Sequence, residues 1–161
     1  MMINLLYYLT YASAVGAGLL AGVFFAFSAF VMQSLAKLPV EKGISAMQSI
    51  NSTILQSSFM LVFMGTTVLS VVLGIASFIK MGRTSAIYVI VGSLLIIFGV
   101  FMVTAIFNVP LNDTLAAATS GSSEGAQTWG EYWDSWVPWN HVRTIASIGA
   151  LISFICAIRR W

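Results

Sequence analysis

The sequence predicts an all-α fold, a four-transmembrane-helix bundle with short amphipathic helices in the outer loops. The 161 residues are 59% hydrophobic and only 7% charged, with a mean hydropathy of +0.95, whereas about a quarter of a soluble domain's residues are charged. Four apolar segments, residues 5–35, 54–79, 86–107 and 142–158, match the roughly 20 residues that a membrane-spanning helix needs. Because lipid offers no partners to backbone polar groups, these segments should be helical.

The chain has the length of one domain, and we expect a single integral membrane domain over residues 1–161. Residues 1–36 carry no charged side chain. They lack the basic start of a cleavable signal peptide, so they should form a retained first membrane helix. The net charge of +2, with no basic cluster, gives no basis for a nucleic-acid partner. Cys156 is the only cysteine, which excludes a disulfide framework.

The basic residues predict how the bundle crosses the membrane. Lys80 and Arg83 flank the turn between the second and third helices, and two arginines, 159 and 160, end the fourth. The positive-inside rule places this face in the cytoplasm. Lys37 and Lys42 oppose that assignment weakly. The loop 108–140 has four acidic residues and no Lys or Arg. We therefore expect a multi-pass protein, in the plasma membrane, with both termini cytoplasmic.

Small residues recur every four positions along the first helix, at Ala14, Gly18, Gly22 and Ala26. Such a stripe lets a neighbouring backbone approach closely. It can serve packing within the bundle or contact with a second copy, so the sequence leaves a homo-oligomer open.

The first outer connection, residues 38–51, predicts a short amphipathic helix. Pro39 is a good first-turn residue, and apolar side chains then follow with helical spacing at Ile44, Met47, Ile50 and Ile54. Gln48 and Asn51 are three residues apart and share one face of this helix. They are candidate ligand contacts, although a solvated helix edge explains the spacing equally well.

The second outer connection begins with NVPLND at 108–113. Pro110 disfavours helical geometry at the preceding residue, so the third helix should stop or kink there. Asn108 can bond the exposed amides of the turn. Asn112 and Asp113 would lie in the first turn of a short helix, where a carboxylate is favourable. Capping alone would explain all three polar residues.

Aromatic residues dominate the next segment, after a flexible joint at 121–123. Trp129, Tyr132, Trp133 and Trp136 have the spacing of one helical face. Such a face is typical of a helix lying flat in the lipid headgroups. It would also suit the wall of an aromatic pocket, and the two interpretations are compatible.

The stretch WVPWNHVRT at 136–144 leads into the last apolar segment. Pro138 predicts the start of the fourth helix, with Asp134 or Ser135 near its cap. A polar stripe follows with helical spacing, at Asn140, Arg143, Thr144 and Ser147.

Arg143 is the costly member of that stripe, because a buried arginine in a membrane needs a partner or water. One alternative is that the side chain extends, or snorkels, to the lipid headgroups. The asparagine-rich turn at 108–113 favours a cavity instead, with Asp113 as the partner of Arg143 or of His141, which lies at the edge of the stripe.

The residue inventory limits the chemistry of such a cavity. Haem or a structural metal normally needs several His or Cys ligands, and this chain has one of each. We therefore expect no cofactor, although metal and haem remain open, including a mixed site of His141 with Asp113 and Glu131. No phosphate loop, nucleophile elbow or dinucleotide fingerprint occurs. An acid–base site remains, with His141 as base and Arg143 and the asparagines stabilising an anion.

Four blocks carry a family resemblance: GVFFAFSAFVMQSLAKLP at 22–39, GISAMQSIN at 43–51, NVPLND at 108–113 and WNHVRT at 139–144. With these blocks the chain resembles the anthrone oxygenase-like family of small four-helix membrane proteins. The resemblance implies an oxidoreductase, a monooxygenase that converts anthrones to anthraquinones with molecular oxygen and without a cofactor. The partners would be the lipid bilayer and a lipophilic aromatic molecule.

The resemblance also suggests roles for the candidate residues. His141 would take a proton, while Asn140 and Arg143 hold the enolate. The remaining candidates would orient these groups or contact the substrate: Asn108, Asn112, Asp113, Gln48, Asn51, Trp133, Trp136, Trp139 and Thr144. Two alternatives stay open, a non-catalytic binder of a quinone-like ligand and a metal- or haem-dependent membrane oxidoreductase.

Overall fold

A computed structural model describes residues 2–80 and 83–161, and this part of the chain contains helices and no strands. The α-helices are α1 (Met2–Ala26), α2 (Met32–Ala36), α3 (Val40–Leu55), α4 (Ser58–Lys80), α5 (Arg83–Leu94), α6 (Val109–Ala117) and α7 (Ser123–Ile158). Three π-helical segments, which carry an extra residue per turn, connect some of them: Phe27–Val31, Leu95–Met102 and Thr104–Asn108.

Four continuous helices in the described residues are long and apolar enough to cross a membrane. We call them span 1 (Asn4–Ala36), span 2 (Ser58–Phe78), span 3 (Thr84–Ala117) and span 4 (Ser123–Ile158). They pack as one bundle, with α1 and α7 forming its largest contact. The all-α, four-transmembrane-helix prediction is confirmed.

The spans differ in length, and comparing their lengths with the hydrocarbon thickness indicates which part of the bundle the lipid surrounds. Span 2 has 21 residues and is therefore about 32 Å long, close to the ~30 Å hydrocarbon thickness. Span 4 has 36 residues and is about 54 Å long, so it extends beyond the hydrocarbon. Tyr7 and Trp161 are in ring contact, with centroids 5.6 Å apart, so both termini lie at one end of the bundle. We call this the terminal end and the opposite one the cap end.

The fourth helix begins earlier than predicted. Its N-cap is Ser122, whose hydroxyl accepts a hydrogen bond from the Gly125 amide at 2.9 Å. Gly121, at φ +90°, provides the tight turn before it. Pro138 lies inside the helix, so the prediction that it starts span 4 is wrong, and Asp134 is an exposed mid-helix residue.

The third helix also continues where a break was expected. A π-helical segment ends at Asn108 and α6 begins at Val109, so Pro110 falls in the first turn of α6. Membrane helices tolerate proline where local π-helical adjustments re-satisfy the freed backbone groups, and the segment directly before α6 is π-helical. Span 3 runs to Ala117, so the stop, one of the two predicted outcomes at Val109, is wrong.

Tertiary packing explains why the helix of span 4 persists through its proline. The first half of α7 packs against α3, α6 and the end of span 1 in one buried cluster, which we call the aromatic cap: Met32, Leu35, Ile44, Met47, Leu115, Trp129, Tyr132 and Trp136. Burying these large side chains is worth about 1.5–3 kcal/mol each, which offsets the ~3 kcal/mol cost of a proline in a helix. The aromatic segment is thus continuous with span 4 and packs into the bundle. Of the two interpretations offered by its aromatic face, the structure matches the pocket wall and not a separate helix lying in the headgroups.

The orientation of the bundle across the plasma membrane stays a prediction. Arg159 and Arg160 are exposed at the terminal end. The Lys80 and Arg83 side chains lie outside the described part of the structure, as do residues 81–82.

Close packing of span 1 depends on a residue outside the predicted stripe. A Cβ at Gly16 would clash with the Thr66 hydroxyl on α4, whereas a Cβ at Gly22 would meet no described atom within 4 Å. A Cβ at Gly18 would make an ordinary van der Waals contact with the Leu151 side chain, 3.7 Å away. Only part of the stripe therefore serves contacts inside the bundle.

Alanine at these two glycines should have opposite effects on stability. Gly16→Ala should lower the free energy of unfolding by about 1–2 kcal/mol because Thr66 has to move. Gly22→Ala should raise it by up to about 1 kcal/mol through helix propensity. Denaturant unfolding in mild detergent measures both, and equal effects at the two positions would contradict this packing.

Candidate functional site

A cavity of about 250 Å³ lies inside the cap end of the bundle, between spans 1, 2, 3 and 4 and α3. Most of its wall is apolar and aromatic, with five phenylalanines: Phe24, Phe27, Phe59, Phe63 and Phe101. Trp136 of the aromatic cap forms part of its roof. Ligand pockets usually measure about 300–1,000 Å³, so the small volume and apolar wall of this cavity suit a compact, lipophilic molecule.

Five polar side chains line this cavity: Asn51, Thr104, Asn112, Asn140 and Arg143. Four of them were predicted as site residues, and the structure brings them to one chamber. Thr104 was not predicted. It belongs to a π-helical segment, a feature that often marks functional sites.

Arg143 is the central polar group, and its side chain is only 6% exposed. The guanidinium lies between the rings of Phe24 and Trp136, 4.5 and 5.0 Å from their centroids. Nη2 donates to Asn140 Oδ1 at 2.9 Å and Nη1 to Thr104 Oγ1 at 3.4 Å, while Nε has no hydrogen-bond partner. Its deep burial excludes the snorkelling alternative.

The predicted pairing of Asp113 with Arg143 or His141 is wrong. Asp113 is exposed on α6 and makes no ion pair with either residue. Its neighbour Asn112 faces the cavity instead, and adjacent helical residues point about 100° apart. The Arg143 charge is therefore buried among rings, an amide and a hydroxyl, with no carboxylate beside it.

Asn140 links Arg143 to span 1. Its Nδ2 donates to the Phe24 carbonyl at 2.8 Å and to Ser28 Oγ at 2.7 Å. These two donations fix the amide so that Oδ1 points at Arg143. Ser28 Oγ also lies 3.1 Å from Thr144 Oγ1 and 2.9 Å from His141 Nδ1.

The hydrogens in this network assign the histidine tautomer. Thr144 uses its hydroxyl hydrogen on the Asn140 carbonyl, 2.9 Å away, so Ser28 must donate to Thr144. Ser28 Oγ then accepts from both Asn140 and His141. His141 therefore carries a hydrogen on Nδ1, and in the neutral ring Nε2 is the free acceptor.

His141 lies outside the cavity. Its ring is exposed on span 4 and reaches the site only through Ser28. Residues two apart on a helix point about 200° away from each other, so His141 and Arg143 face different sides of α7. The geometry gives His141 a positioning contact, through Ser28 and Asn140, to the guanidinium.

Asn112 is also held in one orientation. Its Oδ1 accepts hydrogen bonds from the Tyr132 hydroxyl and from Trp136 Nε1, both at 2.9 Å. The amide nitrogen of Asn112 is therefore the atom left to meet a ligand. Together with Arg143 it makes the polar end of the cavity rich in donors, which suits a ligand oxygen that carries negative charge.

The other predicted substrate contacts do not line this cavity. Gln48 ties α3 to the end of α6 through the Leu115 and Ala118 carbonyls, at 2.8 and 3.0 Å. Asn108 is fully buried and donates to the Trp136 carbonyl at 3.3 Å.

The remaining predicted residues pack span 4 against its neighbours. Trp139 stacks on Phe107, with ring centroids 3.7 Å apart. Trp133 packs beside the aromatic cap, and Thr144 is buried against Ser28.

Sequence reasoning missed the phenylalanine wall and Ser28. Phe24 and Ser28 both lie in an apolar helix, and periodicity does not separate cavity-lining from lipid-facing side chains there. The one sequence signal of a polar contact on this helix was Ser28, which lies four residues, or about one helical turn, after Phe24.

The described residues contain no group of three or more His, Cys, Asp or Glu side chains that could hold a metal ion. The combination of His141, Asp113 and Glu131 left open by the sequence is therefore not assembled. Glu131 instead accepts a hydrogen bond from Gln127 at 2.9 Å.

The fold and the site define a class, a four-helix membrane protein with a mostly apolar, aromatic cavity that has a buried cation in its wall. The sequence model described as anthrone oxygenase matches residues 59–153, more than half of the chain. The chain belongs to the anthrone oxygenase family. No curated protein and no solved structure matches it.

The histidine tautomer can be tested directly because His141 is the only histidine. Labelling the protein with ¹⁵N-histidine should give one imidazole whose Nδ1 carries the hydrogen and whose Nε2 does not, at a pH where the ring is neutral. Ser28→Ala should remove this preference, with Ser34→Ala, an exposed serine, as the control. A wild-type ring hydrogen on Nε2 would contradict the network.

Proposed function

We propose that this protein is a membrane oxygenase that oxidises a flat, lipophilic, anthrone-like aromatic with O₂ inside the cavity at the cap end. One observation carries the proposal: Arg143 is a buried cation without a carboxylate partner at the wall of an aromatic chamber. Burying an unpaired charge costs several kcal/mol. A bound aromatic anion would offset that cost.

The enolate of an anthrone is such an anion. Its ring system fits between phenylalanine side chains, and its oxygen can accept hydrogen bonds from Arg143 and from the Asn112 amide. Donors that are fixed before the charge develops stabilise it without reorganisation. Asn140 acts as a positioning residue, since its Oδ1 holds the guanidinium and its Nδ2 anchors it to span 1.

The reaction balances without any further reductant. The substrate's enol loses a proton to water, which leaves the enolate bound at Arg143. Its electron-rich ring carbon forms a C–O bond with O₂, so that the carbon is oxidised and O₂ is reduced to a peroxide. Loss of the second C–H proton breaks the O–O bond, giving the quinone carbonyl and hydroxide, which combines with the first proton as water.

A second function is favoured by one observation. Among the described residues that line the cavity there is no His, Asp, Glu or Cys side chain to act as a base. A protein that binds a quinone-like or phenolic anion without turning it over would need the same cation and no base. Oxygen consumption separates the two functions.

Replacing Arg143 should separate function from stability. For Arg143→Met in lipid nanodiscs given a simple anthrone, we expect oxygen uptake above the spontaneous rate to fall about 100-fold or more, the loss typical of an oxyanion donor. The ligand-free variant should melt at the same or a higher temperature, because an unpaired buried charge is gone.

Arg159→Met, at an exposed arginine, is the matched control and should keep wild-type uptake. Uptake retained in Arg143→Met would sink the proposed mechanism. No uptake in the wild type, together with retention of the aromatic compound, would favour the binder.

His141→Ala should keep most of the activity. Because the imidazole lies outside the cavity, we expect less than a tenfold loss of turnover, arising through Ser28 and Asn140. His141→Gln, whose amide can still donate to Ser28, should restore part of that loss. Complete loss of turnover with normal ligand binding would instead put His141 in the proton-transfer step.

A further inference from the structure

Two helices that enclose the cavity separate towards the cap end. Span 2 packs along α5 and along the π-helical segment Leu95–Met102, but its packing against span 3 beyond Thr104 is slight. A cleft therefore opens between spans 2 and 3, beside the cavity.

The side chains at this cleft belong to the cavity wall and to the outer surface at the same time. Four side chains line the cavity and are also exposed: Leu55, Met64, Ala105 and Val109. Among the three larger ones, the exposed fraction runs from 41% at Val109 to 65% at Leu55. The cavity thus reaches the surface of the bundle here. None of the four side chains is charged.

The cleft faces lipid rather than water. Met64 is six residues after Ser58, where span 2 begins, and so lies about 9 Å below that end of the helix. Since span 2 matches the hydrocarbon thickness, this depth is inside the acyl-chain region.

The aromatic cap closes the alternative path from the aqueous side. Ile44 and Met47 of α3 are almost fully buried against Trp129 and Tyr132 of α7, and each of these four side chains is at most 7% exposed. A ligand arriving from water would have to unpack this cluster.

We propose that the cleft between spans 2 and 3 is a lateral portal, through which a flat lipophilic aromatic passes from the bilayer into the cavity. Ala105 lies one helical turn before Val109 on the cleft side of span 3, and its small side chain leaves space that a large side chain would fill. The phenylalanine wall then leads the ring inward, and the oxygen meets Arg143. This inference takes the class of ligand, a flat lipophilic aromatic, from the proposed function. It does not require that the protein turns the ligand over.

Ala105→Phe tests the portal, with 2-hydroxyanthraquinone as a coloured probe that needs no turnover. In nanodiscs of the full chain, its association and dissociation rates should both slow about tenfold or more, while Kd changes less than threefold. Ala29→Phe, at an exposed alanine on span 1, is the matched control and should keep wild-type rates.

The possible results test the portal independently of the oxygenase proposal. Unchanged rates in Ala105→Phe would overturn the portal even if the protein consumes oxygen. A weaker Kd through faster release alone would also overturn it, since Ala105 would then be a binding contact. Slowed rates in a protein that consumes no oxygen would leave the portal standing and reject the oxygenase.

Discussion

A single buried cation governs the cap end of this protein. Arg143 is held in the membrane part of span 4 by two rings, one amide and one hydroxyl, without a carboxylate. Cation–π contacts contribute about 2 kcal/mol or more each when desolvated, but a ring supplies no counter-charge, so the guanidinium stays a site of high electrostatic potential. Aromatic rings flank the guanidinium at the cavity wall, so an anion that reaches the charge has to fit an aromatic cavity.

The long fourth helix makes this arrangement possible. Because α7 continues through Pro138 to Ser123, one rigid element carries both the aromatic cap and the arginine. The cap forms the roof of the cavity, and the same helix presents Asn140 to span 1. A helix starting at Pro138 would have left the cap on a separate segment and the roof free to move relative to Arg143.

Composition and apolar length were enough to predict the four spans, because lipid permits few alternatives to a helix. Polar residues that interrupt apolar or amphipathic patterns were also informative, since they include four side chains of the cavity: Asn51, Asn112, Asn140 and Arg143. The helix limits predicted at the two prolines failed for different reasons. A π-helical segment precedes Pro110, and burial of the aromatic cap offsets the cost of Pro138. The Asp113 pairing failed because attraction between opposite charges does not determine which face of α6 is turned inward.

If Arg143 stabilises an aromatic oxyanion, it should promote the ionisation of bound 2-hydroxyanthraquinone, which an absorbance titration measures. A nearby cation favours the ionised phenol, so the ligand's pKa should be lower in the wild-type protein than in lipid alone, by one unit for every ~1.4 kcal/mol of stabilisation. We expect a downward shift of the ligand's pKa by at least about one unit, and we expect this shift to disappear in Arg143→Met. An unchanged or raised pKa of the bound ligand in the wild-type protein would contradict it.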